Sequence, residues 1–189
     1  MNFLKRLGIL LGICATTLST QTYPALAGLK QFRENFESPR QGSADWFFAG
    51  TANFDNGKGL ARQGKGNAWV RSTTGWNAIN HWISVAPNSE CSAIAWIRMS
   101  QNLTDGYMSI RGDDRTGNFN VINERKIVYA KMSLPGLGDD VFAQHYNYYQ
   151  FKFNSGNNTR VLFYVGLWGN GRDSWMQIDD VAISCQTPY

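Results

Sequence analysis

The feature that most constrains the fold is a series of short apolar runs without helical periodicity. After residue 27, no stretch keeps the apolar spacing of an amphipathic helix over three turns. Runs of β-branched and aromatic residues instead alternate with glycine, asparagine and proline. Strands are predicted at residues 66–72, 78–85, 92–100, 107–111, 125–132, 148–154, 160–167 and 175–184. Short strands at this spacing predict an all-β antiparallel fold, either a sandwich or a barrel.

Residues 1–27 have the pattern of a secretory signal peptide. Lys5 and Arg6 precede an apolar run, and the segment ends in Ala25-Leu26-Ala27, with the small residues that signal peptidase requires. The apolar run is shorter than the roughly 20 residues that cross a bilayer. We therefore expect a secreted protein, extracellular or periplasmic, whose residues 28–189 form a single domain without a membrane span.

The charge balance argues against nucleic acid as a partner. The chain has a formal net charge of +4, with 18 Lys and Arg residues against 14 Asp and Glu residues. Cleavage after residue 27 would remove two basic residues and no acidic ones, which leaves a net charge of +2. The remaining charges are scattered and form no basic stripe of the kind that contacts phosphates.

Two cysteines, Cys91 and Cys185, remain after this cleavage. In an exported protein a lone pair of cysteines usually joins. We expect a disulfide that closes a loop of roughly 95 residues, for which the chain-entropy model gives a stabilisation of about 4 to 5 kcal/mol. This bond would attach the last strand to the middle of the domain.

The two ends of the domain both carry carboxylates in apolar surroundings. Glu37 follows Phe36 near the start, and Asp179 and Asp180 interrupt an apolar strand near the end. Such carboxylates are costly to bury without a cation, and Ca²⁺ accepts six to eight oxygen ligands, including carbonyls of tight turns. Strand alternation places Asp179 and Asp180 on opposite faces, so at most one is expected to bind an ion. Exposure to solvent or turn capping is the alternative role for both aspartates.

Six segments of the chain form an ordered pattern. They are residues 35–37 (NFE), 59–70 (GLARQGKGNAWV), 75–79 (GWNAI), 83–89 (ISVAPNS), 93–98 (AIAWIR) and 178–181 (IDDV). Together they resemble carbohydrate-binding modules of the jelly-roll type, over most of residues 30–184. Related sandwiches, including domains of the meprin-receptor type, share the ending IDDV. The resemblance implies a jelly-roll β-sandwich.

The resemblance also implies a structural calcium ion that ties the two ends of the domain together. In such modules the ion commonly lies between the opening glutamate, carbonyls of a glycine-rich turn and an aspartate of the closing strand. Carried over to this chain, the implied ligands are Asn35, Glu37, Gly64, Asn67 and Asp179.

Aromatic side chains are expected to form a carbohydrate site, because sugar rings present flat C–H faces that stack on Trp and Tyr. In residues 107–111, alternation places Met108 and Ile110 on one face and Tyr107, Ser109 and Arg111 on the other, which we predict to be a binding strip. The candidate ligand-binding residues are Trp76, Tyr107, Arg111, Tyr146 and Trp168.

The other tryptophans of the strands and both histidines are interpreted separately. Trp69, Trp96 and Trp175 are assigned to the core or to strand edges. His81 shares its alternation with core positions of its strand, so we expect it in the core with a hydrogen bond. His145 stands among aromatic residues at a loop edge and is more open to a functional role.

Three functions are consistent with the sequence. The first is binding of a polysaccharide, without catalysis, by a secreted monomer. The second is a surface or matrix protein whose sandwich binds another protein. The third is a jelly-roll polysaccharide lyase, in which Tyr107, Arg111, His145 and Tyr146 would remove the proton α to a uronate. The sequence has no Gly-x-Ser-x-Gly, no His-Glu-x-x-His and no closely spaced glutamate pair on one strand, which favours binding.

Overall fold

A computed structural model describes residues 28–39, 45–113, 120–130, 133–134, 138–139 and 145–187. The predicted signal peptide lies outside these residues. The strands are β1 (Leu29–Glu34), β2 (Trp46–Ala49), β3 (Ala52–Asn56), β4 (Gly66–Ser84), β5 (Glu90–Met99), β6 (Gly106–Gly112), β7 (Val121–Ile127), β8 (Ser133–Leu134), β9 (Gly138–Asp139), β10 (Asn147–Asn154) and β11 (Arg160–Gln186). The described residues include no helix, and therefore none long and apolar enough to cross a membrane.

Two long strands, β4 and β11, determine the architecture. They pair with each other antiparallel, and their register shifts between Asn170 and Ser174. Gly75 and Gly171, close to this shift, have positive φ angles of 77° and 87°, a backbone conformation that favours glycine. Because an irregularity of this kind bends a strand pair, each long strand contributes one half to each of two sheets.

The two sheets are named here by their strands. The front sheet has the order β2, residues 75–84 of β4, residues 160–170 of β11, β6 and β7. The back sheet has the order β3, residues 66–72 of β4, residues 174–186 of β11, β5 and β10, and β1 pairs with the last residues of β11. All of these pairs are antiparallel, so the predicted all-β antiparallel sandwich is confirmed.

The hydrophobic core lies between the inward faces of the two sheets. The front sheet contributes Ile110 and Phe163, and the back sheet contributes Ile97 and Ile178, all completely buried. Burial of apolar surface contributes roughly 25 cal/mol per Å², so these inward positions set the register of the strands. The alternate residues of the same strands then face outward, and the candidate site residues are among them.

The disulfide between Cys91 and Cys185 is present, as predicted. The two cysteines lie directly opposite each other on β5 and β11 and are separated by 94 residues. The bond therefore links the middle of the chain to the end of the last strand. Disulfides of this kind persist in oxidising compartments, which supports an extracellular location.

Several strand boundaries differ from the predictions. The strands predicted at 66–72 and 78–85 are one continuous strand, β4, and those predicted at 160–167 and 175–184 are one strand, β11. The strand predicted at 125–132 begins earlier, as β7 at Val121–Ile127. Five strands were not predicted, namely β1, β2, β3, β8 and β9.

Candidate functional site

An open cleft of about 330 Å³ lies on the outward face of the front sheet. Cross-strand neighbours share a face of a sheet, and the pairs Trp76–Trp168, Tyr107–Gly166 and Arg111–Leu162 bring outward side chains of β4, β6 and β11 together. The cleft, called the front cleft below, is lined by Trp76, Tyr107, Arg111, Glu124, Tyr164 and Trp168.

Trp76 is the central aromatic residue of the front cleft. Its ring centroid is 5.6 Å from that of Tyr164, 5.6 Å from that of Trp168 and 6.3 Å from that of Tyr107. Trp168 is 50% exposed and offers the most accessible ring face. Clustered rings of this kind provide apolar platforms, with the polar groups of the tyrosines at their edges.

Gly166 makes the position of the Trp76 ring possible. A Cβ atom added at Gly166 would lie 2.4 Å from Cζ2 of Trp76 and 2.7 Å from Cβ of Ala78. These distances are far below van der Waals contact, so any side chain at this position would have to displace the indole. Because Gly166 has no side chain, the Trp76 ring can pack directly against the backbone of β11.

Arg111 and Glu124 supply the charged groups of the front cleft. The guanidinium carbon of Arg111 lies 4.5 Å from the ring centroid of Tyr164, within the range of a cation–π interaction. The Nε atom of Arg111 is buried and donates no hydrogen bond to any residue that the structure describes. Glu124 is exposed. The cleft thus combines flat apolar rings with one cationic and one anionic group.

Tyr107 belongs to a hydrogen-bonded network at the edge of the cleft. Its hydroxyl donates to Oδ1 of Asp105 at 2.7 Å, and Nζ of Lys126 lies 3.0 Å from the same oxygen. The hydrogen bond to Asp105 raises the pKa of Tyr107, because it stabilises the protonated phenol. The same bond, together with Lys126, holds the pKa of Asp105 below its usual value. The phenol therefore stays protonated and fixed in orientation.

The structure brings four of the predicted ligand residues together and separates the fifth. Trp76, Tyr107, Arg111 and Trp168 line the front cleft. Tyr146 lies elsewhere, because its hydroxyl donates to the carbonyl of Leu60 at 2.8 Å, in the loop before β4. Burial raises the pKa of this phenol. The set of residues expected for a lyase is therefore not assembled around the cleft.

Tyr164 and Glu124 line the front cleft but were missed in the sequence. Tyr164 stands within the continuous apolar run 161–167, which gives no sign of which residues face outward. Its position opposite Ser109 in the ladder fixes its face. Glu124 also lies opposite Ser109, on β7, whose start was predicted too late in the chain. Both residues pair with Ser109, which belongs to the predicted strip at residues 107–111. A correct assignment of the strands that flank this strip could therefore have identified them.

A second cluster of predicted residues surrounds the loop at residues 57–65. Oε1 of Glu37 accepts hydrogen bonds from the amides of Lys65 and Gly66 at 2.8 and 2.9 Å. Oδ2 of Asp179 accepts from the amides of Arg62 and Gln63 at 2.8 and 3.3 Å. The carboxylates from the two ends of the domain thus hold the same loop from different sides.

Asp179, and not Asp180, is the buried aspartate of this cluster. Asp179 is completely buried, and burial raises its pKa to about 6 against the opposing effect of its backbone hydrogen bonds. Asp180 is partly exposed, with a φ of 47°, and its Oδ2 lies 2.5 Å from Nη1 of Arg62. Both aspartates thus contact Arg62, Asp179 through the backbone amide and Asp180 through the guanidinium. The strand is irregular here, because its register with β5 shifts between Asp179 and Ala182.

The residues predicted to bind calcium have a donor set that fits such an ion. Asn67 is completely buried, and its Oδ1 accepts no hydrogen bond from the described part of the chain. Gly64 has a φ of 64°, and an added Cβ would lie 2.2 Å from Oε1 of Glu37, so the backbone approaches this carboxylate closely. Asn35 lies beside Glu37, since its Oδ1 is 3.4 Å from the Glu37 amide.

Among the described residues, no third acidic side chain is placed to join Glu37 and Asp179 at an ion. Within the part of the chain that the structure describes, no group of three or more His, Cys, Asp and Glu side chains is placed to hold a metal ion. A cation at this cluster would need oxygens from Asn67 and from the backbone in addition to the two carboxylates. Ca²⁺ accepts such mixed oxygen ligands.

The three tryptophans assigned to the core or strand edges face outward from the back sheet. Trp69, Trp96 and Trp175 are all partly exposed. The inward positions next to them are completely buried aliphatic residues such as Val70 and Met176. The assignment of these indoles to the core was wrong, because an outward position of a sheet accepts a large aromatic residue as readily as an inward one.

His81 packs at the edge of the core, as expected. Its ring centroid lies 4.5 Å from that of Phe32 and 5.0 Å from that of Trp46. Its Nδ1 is 2.7 Å from the carbonyl oxygen of Trp82. Burial lowers its pKa. His145 is exposed and lies next to Tyr146, away from the front cleft.

Solved structures with the same fold include carbohydrate-binding modules. The chain is similar to the K1 cleaved adhesin domain of Lys-gingipain from Porphyromonas gingivalis W83, with a TM-score of 0.57 and 14% identity, over 85% of this chain and 99% of that one. It is also similar to the CBM22-1 xylan-binding domain of Xyn10C from Paenibacillus barcinonensis, with a TM-score of 0.54 and 14% identity, over 84% and 95% of the two chains. A xylan-binding domain from CBM 22 gives a TM-score of 0.55 and 15% identity, over 84% and 96%.

These likenesses concern the fold. The predicted jelly-roll sandwich of the carbohydrate-binding module type is confirmed by them. No protein-family model matches the sequence, and no curated protein matches it significantly.

Proposed function

We propose that the protein is a secreted, non-catalytic carbohydrate-binding module that holds a polysaccharide segment in the front cleft. The observation that carries the proposal is the cluster of Trp76, Trp168 and Tyr164 beside Arg111. Sugar rings stack on such aromatic faces, while their hydroxyl groups bond to neighbouring polar groups. The Nε of Arg111 is a donor without a partner among the described residues, and because it is covered, a ligand would reach it only when a neighbouring side chain moves.

The state of Tyr107 supports binding over catalysis. A tyrosine that removes the proton α to a uronate must itself lose its proton, and the hydrogen bond to Asp105 raises the pKa of Tyr107. Moreover, Tyr146 is bound to Leu60, outside the cleft. The network at Tyr107 is better suited to positioning the ring and a hydroxyl group against a sugar.

A calcium ion is part of the proposal as a structural element. Glu37, Asp179, Asn67, Gly64 and Asn35 would hold it. When bound, the ion would compensate the charge of the two carboxylates. The protein's own groups already bring the start of the domain, the loop at 57–65 and the end of β11 together. The ion is therefore expected to stabilise the domain without contacting the polysaccharide.

Retention of the purified protein on polysaccharides tests the proposal. The panel consists of xylan, β-1,4-glucan, β-1,4-galactan and polygalacturonate, with xylan first because two proteins of similar fold are xylan-binding domains. Trp168→Ala should weaken retention on the bound polymer about tenfold, which corresponds to about 1.4 kcal/mol. Tyr148→Ala is the matched control, because Tyr148 is 48% exposed against 50% for Trp168 and lies on the back sheet.

Three results would contradict the proposal. Unchanged retention of a folded Trp168→Ala variant would remove the front cleft as the site. A rise in ultraviolet absorbance from new unsaturated ends, when the protein is incubated with polygalacturonate, would show lyase activity. If the protein bound none of the polymers, a surface domain that binds another protein would become the better explanation.

A further inference from the structure

A second cleft, of about 310 Å³, lies on the outward face of the back sheet. Its lining includes two indoles from neighbouring strands, Trp69 on β4 and Trp175 on β11, both partly exposed. The other residues that line it are Asp55, Arg71, Met176 and Gln177. We call it the back cleft.

The register of β4 and β11 builds the back cleft from two adjacent rows. Gln177 lies directly opposite Trp69, and Trp175 lies directly opposite Arg71. Side chains directly opposite each other are neighbours on one face of a sheet, and residues two apart in a strand share that face. The two indoles therefore lie diagonally across the cleft, with an amide and a guanidinium at the other corners.

The polar groups of the back cleft offer both donors and acceptors. Gln177 is 8% exposed, and within the described residues its Oε1 accepts no hydrogen bond. This oxygen is covered, so a ligand would reach it only when a neighbouring side chain moves. Arg71 forms an ion pair with Asp173, and about half of each side chain is exposed. Asp55 adds a carboxylate at the edge.

The two indoles of the back cleft differ from the third tryptophan on the same face. The guanidinium carbon of Arg62 lies 3.8 Å from the ring centroid of Trp96, so a side chain of the protein already covers that ring. For Trp175, the nearest cation–π contact is to Arg98, whose guanidinium carbon is 5.8 Å away. The indoles of the back cleft are thus less covered by cationic side chains than Trp96 is, and they lie beside hydrogen-bonding groups. The front cleft has the same combination of aromatic and polar groups.

We infer that the back cleft is a second carbohydrate-binding site, whose ligand is another segment of polysaccharide. The choice of ligand class rests on the proposed function, because the chemistry of the two clefts is the same. The outward faces of the two sheets of a sandwich point in opposite directions, so one short segment cannot fill both clefts. A monomer with both sites would cross-link polysaccharide chains.

Aggregation of polysaccharide-coated beads tests the inference, because beads aggregate only when one protein molecule binds two polysaccharide chains at once. Latex beads are coated with each polymer of the panel and mixed with the wild-type protein or a variant. The wild type should aggregate beads coated with the polymer that it retains. Trp175→Ala should abolish aggregation and leave retention through the front cleft within about twofold of the wild type. Trp168→Ala should also abolish aggregation, and the double variant should lose retention as well.

Controls separate a lost site from a lost fold. Trp96→Ala removes an indole from the same face outside the back cleft and should aggregate beads like the wild type. Trp175→Tyr keeps an aromatic platform and should restore aggregation at least in part. Near-ultraviolet circular dichroism of each variant checks its folding.

The possible results distinguish the two proposals. If folded Trp175→Ala aggregates beads as the wild type does, the second site is refuted and the front cleft stands; a self-associating protein with two front clefts would also give this result. If Trp175→Ala, but not Trp168→Ala, loses retention, the front cleft is refuted and the back cleft stands. If the wild type aggregates no beads of the panel, the inference is refuted.

Discussion

The shape of the front cleft depends on one residue without a side chain. Gly166 lies directly opposite both Ala78 and Tyr107, and the Trp76 ring occupies the space that its Cβ would need. A tightly packed site cannot absorb an extra carbon atom at 2.4 Å from a ring atom without moving one of the two. Glycine at this position is therefore a condition for the geometry of Trp76.

We predict that Gly166→Ala weakens polysaccharide binding about tenfold, or about 1.4 kcal/mol, by displacing the Trp76 ring. Retention on the polymer bound by the wild type measures the effect. The matched experiment repeats the substitution in a Trp76→Ala background, where only the close contact with Cβ of Ala78 remains and a smaller further loss is expected. An equal loss in both backgrounds would show that Gly166 acts on the fold and not through Trp76.

His81 gives the domain a pH dependence whose sign follows from its burial. Burial lowers its pKa in the folded protein, only partly offset by the carbonyl of Trp82 and the charges of Asp45 and Glu34. The unfolded chain therefore binds this proton more tightly than the folded protein does. The stability that neutral His81 contributes is present above its unfolded pKa, about 6.5, and is lost as the pH falls below that value.

We predict that His81→Gln reduces the loss of stability between pH 7.5 and pH 5.5. Urea unfolding of both proteins at the two pH values gives the free energies of unfolding. The comparison must be made between the two proteins, because Asp179 has the opposite effect. Its pKa is raised to about 6, so its protonation as the pH falls increases the free energy of unfolding of both proteins. The same change with pH in both proteins would show that His81 does not contribute.

At the scale of the strands, the sequence predicted elements whose pattern alternates and failed where burial hides the pattern. β5, β6 and β10 were predicted within two residues at each end, since their inward and outward residues alternate. The apolar run at 161–167 predicted a strand but gave no indication that Tyr164 faces outward. The division of β4 and β11 into two strands each was wrong, because glycines at a bend resemble glycines at a turn.

The loop at residues 57–65 depends on the two carboxylates that hold it. Strand pairing alone leaves this loop attached only at its ends, and Glu37 and Asp179 accept hydrogen bonds from its amides. The predicted tie between the two ends of the domain was a calcium ion, which the resemblance implies, and these hydrogen bonds to one loop were not predicted. The amide donors could not be predicted, because they belong to backbone conformations such as the positive φ of Gly64.

We predict that calcium raises the thermal midpoint of the wild-type protein relative to a sample with chelator. An ion at 100 times its dissociation constant stabilises by about 2.7 kcal/mol, or several degrees for a domain of this size. Asp179→Asn should abolish the calcium effect, whereas Asp180→Asn, which breaks the pair with Arg62, should retain it. Calcium-independent midpoints in the wild type, or loss of the effect in Asp180→Asn alone, would contradict the proposed ligand set.

At the scale of the whole molecule, the two sheets are joined by the chain itself. β4 and β11 each run through both sheets, so neither sheet can lose its central strands without the other. The disulfide adds a covalent link only within the back sheet, between β5 and β11, beside the segment that also pairs with β1. Removal of the disulfide should therefore lower the stability of the domain and leave the geometry of the front cleft unchanged.

We predict that the double variant Cys91→Ala, Cys185→Ala loses about 2 to 5 kcal/mol of its free energy of unfolding. Urea unfolding measures this loss, and reduction of the wild type with dithiothreitol should reproduce it. Because none of the front-cleft residues lies on β5 or on the last half of β11, the folded variant should keep its retention on polysaccharide within about twofold, a change below 0.5 kcal/mol. Unchanged stability would show that the disulfide does not restrict the unfolded chain as the chain-entropy model assumes. Loss of retention in the folded variant would instead show that the back sheet controls the geometry of the front cleft.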